Sequence, residues 1–376
     1  MVLLCRPFAL HLYKLQPRHS LRNAMTTRAE TPAGPAKADK DQIEYVRSEV
    51  LRAGERLRAR HAWLRHQDAI GALILAFSMA GMLGCAWSYA NGALPAWACI
   101  ALVAFFASLT HELEHDLIHY MYFRKKPWAH HLMLALAWLA RPSTMNPWAR
   151  RALHFNHHKH SGTEVDIEER AITNGERWGP ARLIMTMDNI QSVLIRAVRA
   201  TDPTQRRRIL RRGFLAYFPL GWLHWGLWYV FLGAHLALFA ARLFGDPNVA
   251  APRWLAGVDF LAVVWIAPNV LRTFCLHFIS SNMHYYGDIE DDNPLQQCQV
   301  LNAWWLLPLQ LFCCNFGSTH AIHHFVVKEP FYIRQWTAAS GHRALRAVGV
   351  RFNDLGTFAR ANRYHSSSAP ATLSVA

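Results

Sequence analysis

The chain has 376 residues, of which 52% are hydrophobic and only 17% charged, with 15 Trp and 20 Phe. That length allows one large domain or two small ones, and the charge fraction is well under the usual quarter of a soluble protein. The formal charge of +15 could suit nucleic acid, but several apolar runs long enough to cross a bilayer exclude a soluble nucleic-acid binder and direct the basic excess to anionic lipid headgroups.

Residues 1–40 are basic, carry no acidic residue before Glu30, and then become rich in Pro, Ala and Lys. They read as a disordered leader without the uninterrupted apolar core of a signal peptide, and Met25 offers an alternative start. Residues 41–68 form a cytoplasmic pre-membrane helix whose Ile43, Val46, Val50 and Leu57 share one face. A membrane domain is expected over 69–330, and a cytoplasmic C-terminal segment over 331–376.

Four spans are expected in that domain. Residues 69–90 are apolar, and after the turn at Asn91–Pro95 the chain returns from Ala96 to about Thr110, reaching spanning length if it continues into the histidines beyond. Residues 214–239 and 254–276 form a second hairpin. Arg124–Lys126, Arg150-Arg151 and the arginines of 206–212 lie between or beside the hairpins. The positive-inside rule therefore puts them, and both chain ends, in the cytoplasm. Residues 131–140 are too short to cross, and 299–316 contain Asn302, Pro308 and Gln310, so neither is counted as a span. With two hairpins, all the histidine clusters emerge on one side of the bilayer. The seven cysteines lie mostly in apolar segments without a C-x-x-C pair, so neither a disulfide framework nor a thiolate metal site is expected.

Those clusters carry the chemistry. His154-Phe-Asn-His157-His158 and His320-Ala-Ile-His323-His324 each place three imidazoles at i, i+3 and i+4, on one helical face. His111, His115 and His119 add a stripe at i, i+4 and i+8. Imidazole suits Zn, Cu, Ni and Fe. A zinc site takes three or four protein ligands, whereas these boxes, with His284 beyond the fourth span, offer enough for two metals of four or five ligands each, which points to iron. His111-Glu112-Leu-Glu-His115 also satisfies H-E-x-x-H, so an intramembrane zinc protease is a rival reading that leaves the other boxes unexplained. A non-enzymatic metal carrier is a third, disfavoured because carriers keep ionisable residues at bilayer depth.

The pattern resembles the membrane fatty acid desaturases and hydroxylases, the group that includes the stearoyl-CoA desaturases. The residues that carry the resemblance are His115-Asp-Leu-Ile-His119, His154-Phe-Asn-His157-His158 and Asn315-Phe-Gly-Ser-Thr-His320-Ala-Ile-His323-His324, with His284 in Ser280-Ser-Asn-Met-His284 after the fourth span. It covers roughly 69–330. It implies an all-α membrane protein, two transmembrane helical hairpins under a cytoplasmic helical cap that holds a di-iron site. The implied ligands are His115, His119, His154, His157, His158, His284, His320, His323 and His324, with His111 as a candidate additional ligand. The relatives' Asn four residues before the extra histidine is replaced by Ser280 here. Metal-bound imidazoles usually donate their other N–H to a carboxylate or carbonyl, and Asp116, Asp166, Glu112 and Glu114 are the candidate partners, with Asn156 and Asn315 nearby in sequence. The resemblance further implies two iron ions (Fe2+/Fe3+), dioxygen as co-substrate, and desaturation of a long-chain fatty acyl lipid. Hydroxylation or ketolation of an alkane, sphingoid or carotenoid chain is the alternative on the same site. No His-Pro-Gly-Gly haem module or G-x-G-x-x-G fingerprint is present, so electrons are expected from an external ferredoxin- or cytochrome-type donor.

Overall fold

The computed structural model describes residues 37–365. The described residues are predominantly helical and form no strand, only isolated bridges joining His284 to Cys298 and Val300 to Phe352. The leader expected over 1–40 lies outside them, except that Lys37–Lys40 already belong to the first helix.

α1 (Lys37–Arg60) is amphipathic and buries Val46, Val50 and Ala53. α2 (Gln67–Ala90) and α3 (Ala96–Ile118) are the first pair long and apolar enough to cross a membrane. They pack closely because Gly81 has no side chain: a Cβ there would fall 2.5 Å from the Phe106 ring. α3 extends well past Thr110, so the continuation into the histidine stripe is one unbroken helix. α4 (Pro127–Ala140) has 14 residues, about 21 Å at 1.5 Å per residue, and cannot span.

α5 (Pro147–His160), α6 (Ile167–Ala171), α7 (Pro180–Met187), α8 (Asn189–Arg199) and α9 (Pro203–Tyr217) follow before the second pair. The third span begins at Leu220 rather than Phe214, because Phe214–Tyr217 complete α9 and Pro219 interrupts the run. α10 (Leu220–Phe244) shows Trp222, Leu223, Leu232, Leu236 and Phe239 to its surroundings, as a lipid-facing helix must. α11 (Arg253–Met283) contains a π turn at Ala262–Ile266. Pro268, with no N–H to give, follows at once and accounts for the local loosening.

Residues 299–315 make only short helical turns (Trp304–Leu306, Leu307–Gln310) and do not cross. α12 (Phe316–Phe325) therefore returns to the same end of the spans as α5, and α13 (Phe331–Ala347) packs it against α1. Val46 and Val50 of α1, Ile322 and Phe325 of α12 and Leu345 of α13 share one core. Arg58 and Glu329, 2.6 Å apart, pin α1 to the turn before α13.

Candidate metal centre

Three helices and one loop bring the histidines together. α3 supplies His115 and, at its C-cap, His119; α5 supplies His154, His157 and His158; α12 supplies His320, His323 and His324; His284 caps α11. They form two groups. His115, His119, His154, His158 and His323 have ligand atoms within 4.8 Å of one another, and so do His157, His284, His320 and His324. The groups abut, since His157 and His158 are chain neighbours and the rings of His158 and His324 are 5.0 Å apart.

Hydrogen bonding on the outer side fixes which nitrogen faces inward. Nδ1 of His154 lies 2.9 Å from Glu168 Oε2, and Nδ1 of His157 lies 2.8 Å from Asp166 Oδ2. His284 Nδ1 is 2.9 Å from the Ser280 carbonyl and 3.2 Å from Glu169 Oε2; His324 Nδ1 is 2.8 Å from Gln297 Oε1. A neutral imidazole has one proton, and once Nδ1–H is committed outward, Nε2 is a bare lone pair. In the first group His154 Nε2 stands 3.0 Å from His119 Nε2 and 3.1 Å from His158 Nε2, and His323 Nε2 is 3.1 and 3.0 Å from the same two. Nε2 of His157 and of His284, and both nitrogens of His115, are buried with no partner.

Converging lone pairs repel unless a cation lies between them. Protons do not fill that role in the first group. Burial, then neighbouring imidazoles, hold His154 and His158 well below the usual imidazole range; burial, then His115 and Arg334, do the same at His323. Burial, with Arg334, pushes His119 down to about 3. His320 and His324 are depressed for the same reason, burial first. His157 and His284 are raised: burial pulls both down, but Asp166 outweighs it at His157, and Cys298 and Glu169 do so at His284. Neutral imidazoles are the form a metal binds. Metal–nitrogen bonds of about 2.0–2.1 Å at right angles separate ligand atoms by roughly 3 Å, close to the spacing in the first group. The donor set fits two metal ions.

The carboxylates come from one short stretch. Asp166 N-caps α6, accepting from Glu169 N at 3.3 Å, and Glu168 and Glu169 occupy the first turn, where the helix dipole favours anions. The chain reaches that position through Gly162, at φ +79, where a Cβ would sit 2.5 Å from the Tyr285 carbonyl oxygen. Glu168 and Glu169 are not among the carboxylates singled out from the sequence, since they lie well beyond the second box and follow Glu164 and Asp166. Gln297, from a remote loop, leaves no signal in the sequence.

The other expected neighbours lie elsewhere. Asp116 accepts from Phe331 N (2.9 Å), Tyr122 Oη (3.0 Å) and Arg334 (3.2 Å), with no histidine among its partners. Asn156 donates to the Val165 carbonyl and Asn315, at φ 55, to Gln335 Oε1. Glu112 meets Arg334 at 3.4 Å. Glu114 pairs with Arg141 and, at 3.1 Å, with Arg150, which also holds Glu168 at 2.7 Å. His111 belongs to neither group; its Nδ1 is 3.1 Å from Arg141 Nη1. Its H-E-x-x-H motif thus contributes one clustered histidine, not two, and its Glu112 is tied to an arginine.

The profile of the family described as Fatty acid desaturase matches residues 91–354, well over half of the chain. The chain belongs to the fatty acid desaturase family. No individually curated protein matches it. Family membership makes it an oxidoreductase of the desaturase/hydroxylase kind, with membrane-like helices and clustered histidines to match. In this desaturase-family chain the first histidine group opens onto a cavity of about 600 Å3 through His119 and His158.

Proposed function

We propose that the protein desaturates a long-chain fatty acyl lipid, using dioxygen and a di-iron centre held by the two histidine groups. The observation that carries this reading is the pair of adjacent, all-imidazole donor sets with inward lone pairs, in a chain of this family. His115, His119, His154, His158 and His323 would hold one iron and His157, His284, His320 and His324 the other. Bound there, an iron pair supplies the oxygen activation and cleavage of an unactivated C–H bond that no side chain can perform.

The chain's own residues do the rest. Asp166, Glu168, Glu169 and the Ser280 carbonyl keep Nδ1 protonated and aim Nε2 inward. No carboxylate belongs to either group, so the ligands bring no negative charge and the site stays electron-poor. Burial of all but the cavity-facing histidines limits water. Electrons come from a separate ferredoxin- or cytochrome-type protein. The basic segments at Arg124–Lys126, Arg150-Arg151 and 206–212 support a cytoplasmic site in a multi-pass membrane protein.

The test is lipid mass spectrometry on cells expressing the chain or its His157→Ala variant. Products two mass units lighter, dependent on His157, are expected. Products sixteen units heavier would identify a hydroxylase instead, and no His157-dependent change would sink both.

A further inference from the structure

The cavity beside the first histidine group has an uneven lining. His119 and His158 form part of it, Tyr120, Phe155 and Val327 supply apolar wall, and Arg124 and Lys328 supply positive charge. No acidic residue lines it. Both cations are exposed, and neither has an ion pair among the described residues, whereas Arg47, Arg52 and Arg58 on α1 each pair with a glutamate one turn away.

Both side chains project from fixed turns. Arg124 follows Phe123, whose φ of 50 is held by a 2.7 Å bond from its N–H to Asp68 Oδ1. Lys328 precedes Glu329, which is anchored to Arg58. Arg151 adds a third positive charge behind the wall, stacked 3.8 Å from the Tyr120 ring centroid. Two elements some 200 residues apart in sequence thus present uncompensated charge over an apolar cleft that ends on imidazoles. Clefts lined by one sign of charge concentrate ions of the other. Guanidinium matches the planar geometry of carboxylate or phosphate, and ammonium serves as a point charge. The cleft's volume, about 600 Å3, lies in the range of small-molecule sites, and the cleft is broadly open to the surface.

We propose that Arg124 and Lys328 grip the anionic head of the substrate, a carboxylate or phosphate, while the start of its chain lies along Tyr120, Phe155 and Val327 toward His119 and His158. This rests on the acyl-lipid reading above and narrows it. The substrate is a charged acyl lipid rather than an alkane or carotenoid, and the carbons nearest the histidines are those toward its charged end.

Binding is measured by tryptophan fluorescence on the iron-loaded protein in phosphatidylcholine nanodiscs, without electron donor. Palmitate, hexadecyl phosphate and hexadecanol are the probes, with wild type compared with the R124Q/K328Q double variant. At least one anion should bind wild type about tenfold or more tighter than hexadecanol, and lose that margin in the variant at unchanged iron content. The tighter anion identifies the head as carboxylate or phosphate. Equal binding of all three probes, no binding of either anion, or an unaffected variant overturns the proposal. So does a variant that binds both anions normally but loses donor-dependent turnover, which would assign the basic rim to the electron-donor protein. Because binding is read without turnover, a failure of the desaturase reading leaves these outcomes distinct.

Discussion

Replacing Asp166 by asparagine separates metal holding from folding. The carboxylate accepts from His157 Nδ1 at 2.8 Å and from the backbone N–H groups of Gly162 at 3.2 Å and Glu169 at 3.3 Å. Asn serves as well as Asp at a helix N-cap, so Asp166→Asn keeps the α6 cap, whereas Asp166→Ala also loses about 1 kcal/mol of capping. The imidazole at His157 loses its anionic partner in both. Losing such a partner typically costs 10–100-fold in metal affinity, about 1.4–2.7 kcal/mol. The loss should fall on the group that contains His157, leaving His115, His119, His154, His158 and His323 intact. The assay is iron per chain by mass spectrometry after dialysis against graded chelator, alongside Tm of the metal-free protein. Asp166→Asn should release one iron at roughly tenfold or more weaker chelation and keep the other, and its metal-free Tm should fall less than that of Asp166→Ala, which also loses the cap. Two irons held as tightly as in wild type would refute the role given to the His157–Asp166 bond. Simultaneous loss of both would refute the division into two groups.

Other perturbations test the surrounding frame. Arg150→Met leaves Glu114 and Glu168 each short of one partner and should destabilise the protein by about 3–5 kcal/mol, read as a Tm drop in detergent; an unchanged Tm would mean Arg141 and His154 suffice. His111→Ala should retain both irons by metal analysis, whereas His115→Ala should lose the first; loss of metal in both variants would restore the H-E-x-x-H reading. Gly162→Ala forces a side chain into the left-handed region and onto the Tyr285 carbonyl, and should cost about 1–3 kcal/mol, with weakened iron at His157; wild-type Tm and iron would show that the turn adapts.

The spans and the clustering of the histidine boxes were legible because each rests on a local regularity. Apolar runs of spanning length locate α2, α3, α10 and α11, though the ends of the last three differ by several residues from the apolar runs, and i, i+3, i+4 spacing puts three imidazoles on a face whatever the rest of the chain does. His284 stands outside any box and was a candidate only by its place just past the fourth span, which the resemblance then matched to an extra ligand. The partners were harder. Asp116 lies within the first histidine stripe, yet its carboxylate turns to Arg334 and Phe331 N, more than 200 positions downstream. Proximity in sequence to a ligand therefore misleads when the residue lies on another helical face. Asp166 could be named and Glu168 and Glu169 could not, because which side of a five-residue helix meets α5 depends on the Gly162 turn and not on the residues themselves.

The centre's position follows from what the second helix of each hairpin does beyond the bilayer. α11 has 31 residues, about 46 Å at 1.5 Å per residue, well over the roughly 30 Å of hydrocarbon it must cross, so it carries His284 past the membrane edge. α3 reaches the same end differently: its apolar stretch gives way to His111, Glu112, Glu114, His115 and Asp116, all buried. Three carboxylates on a helix facing lipid would be very costly. Here Arg334 meets Glu112 and Asp116, and Arg141 and Arg150 meet Glu114, every one of these arginines coming from outside the four spans. The end of α3 is therefore a stable helix only when the cap covers it. The same Arg150 that neutralises Glu114 also holds Glu168, the carboxylate that orients His154. Docking the cap onto the spans and aligning the histidines are thus one event, and a change that weakens the arginine–carboxylate frame should lower iron affinity even where no ligand is touched.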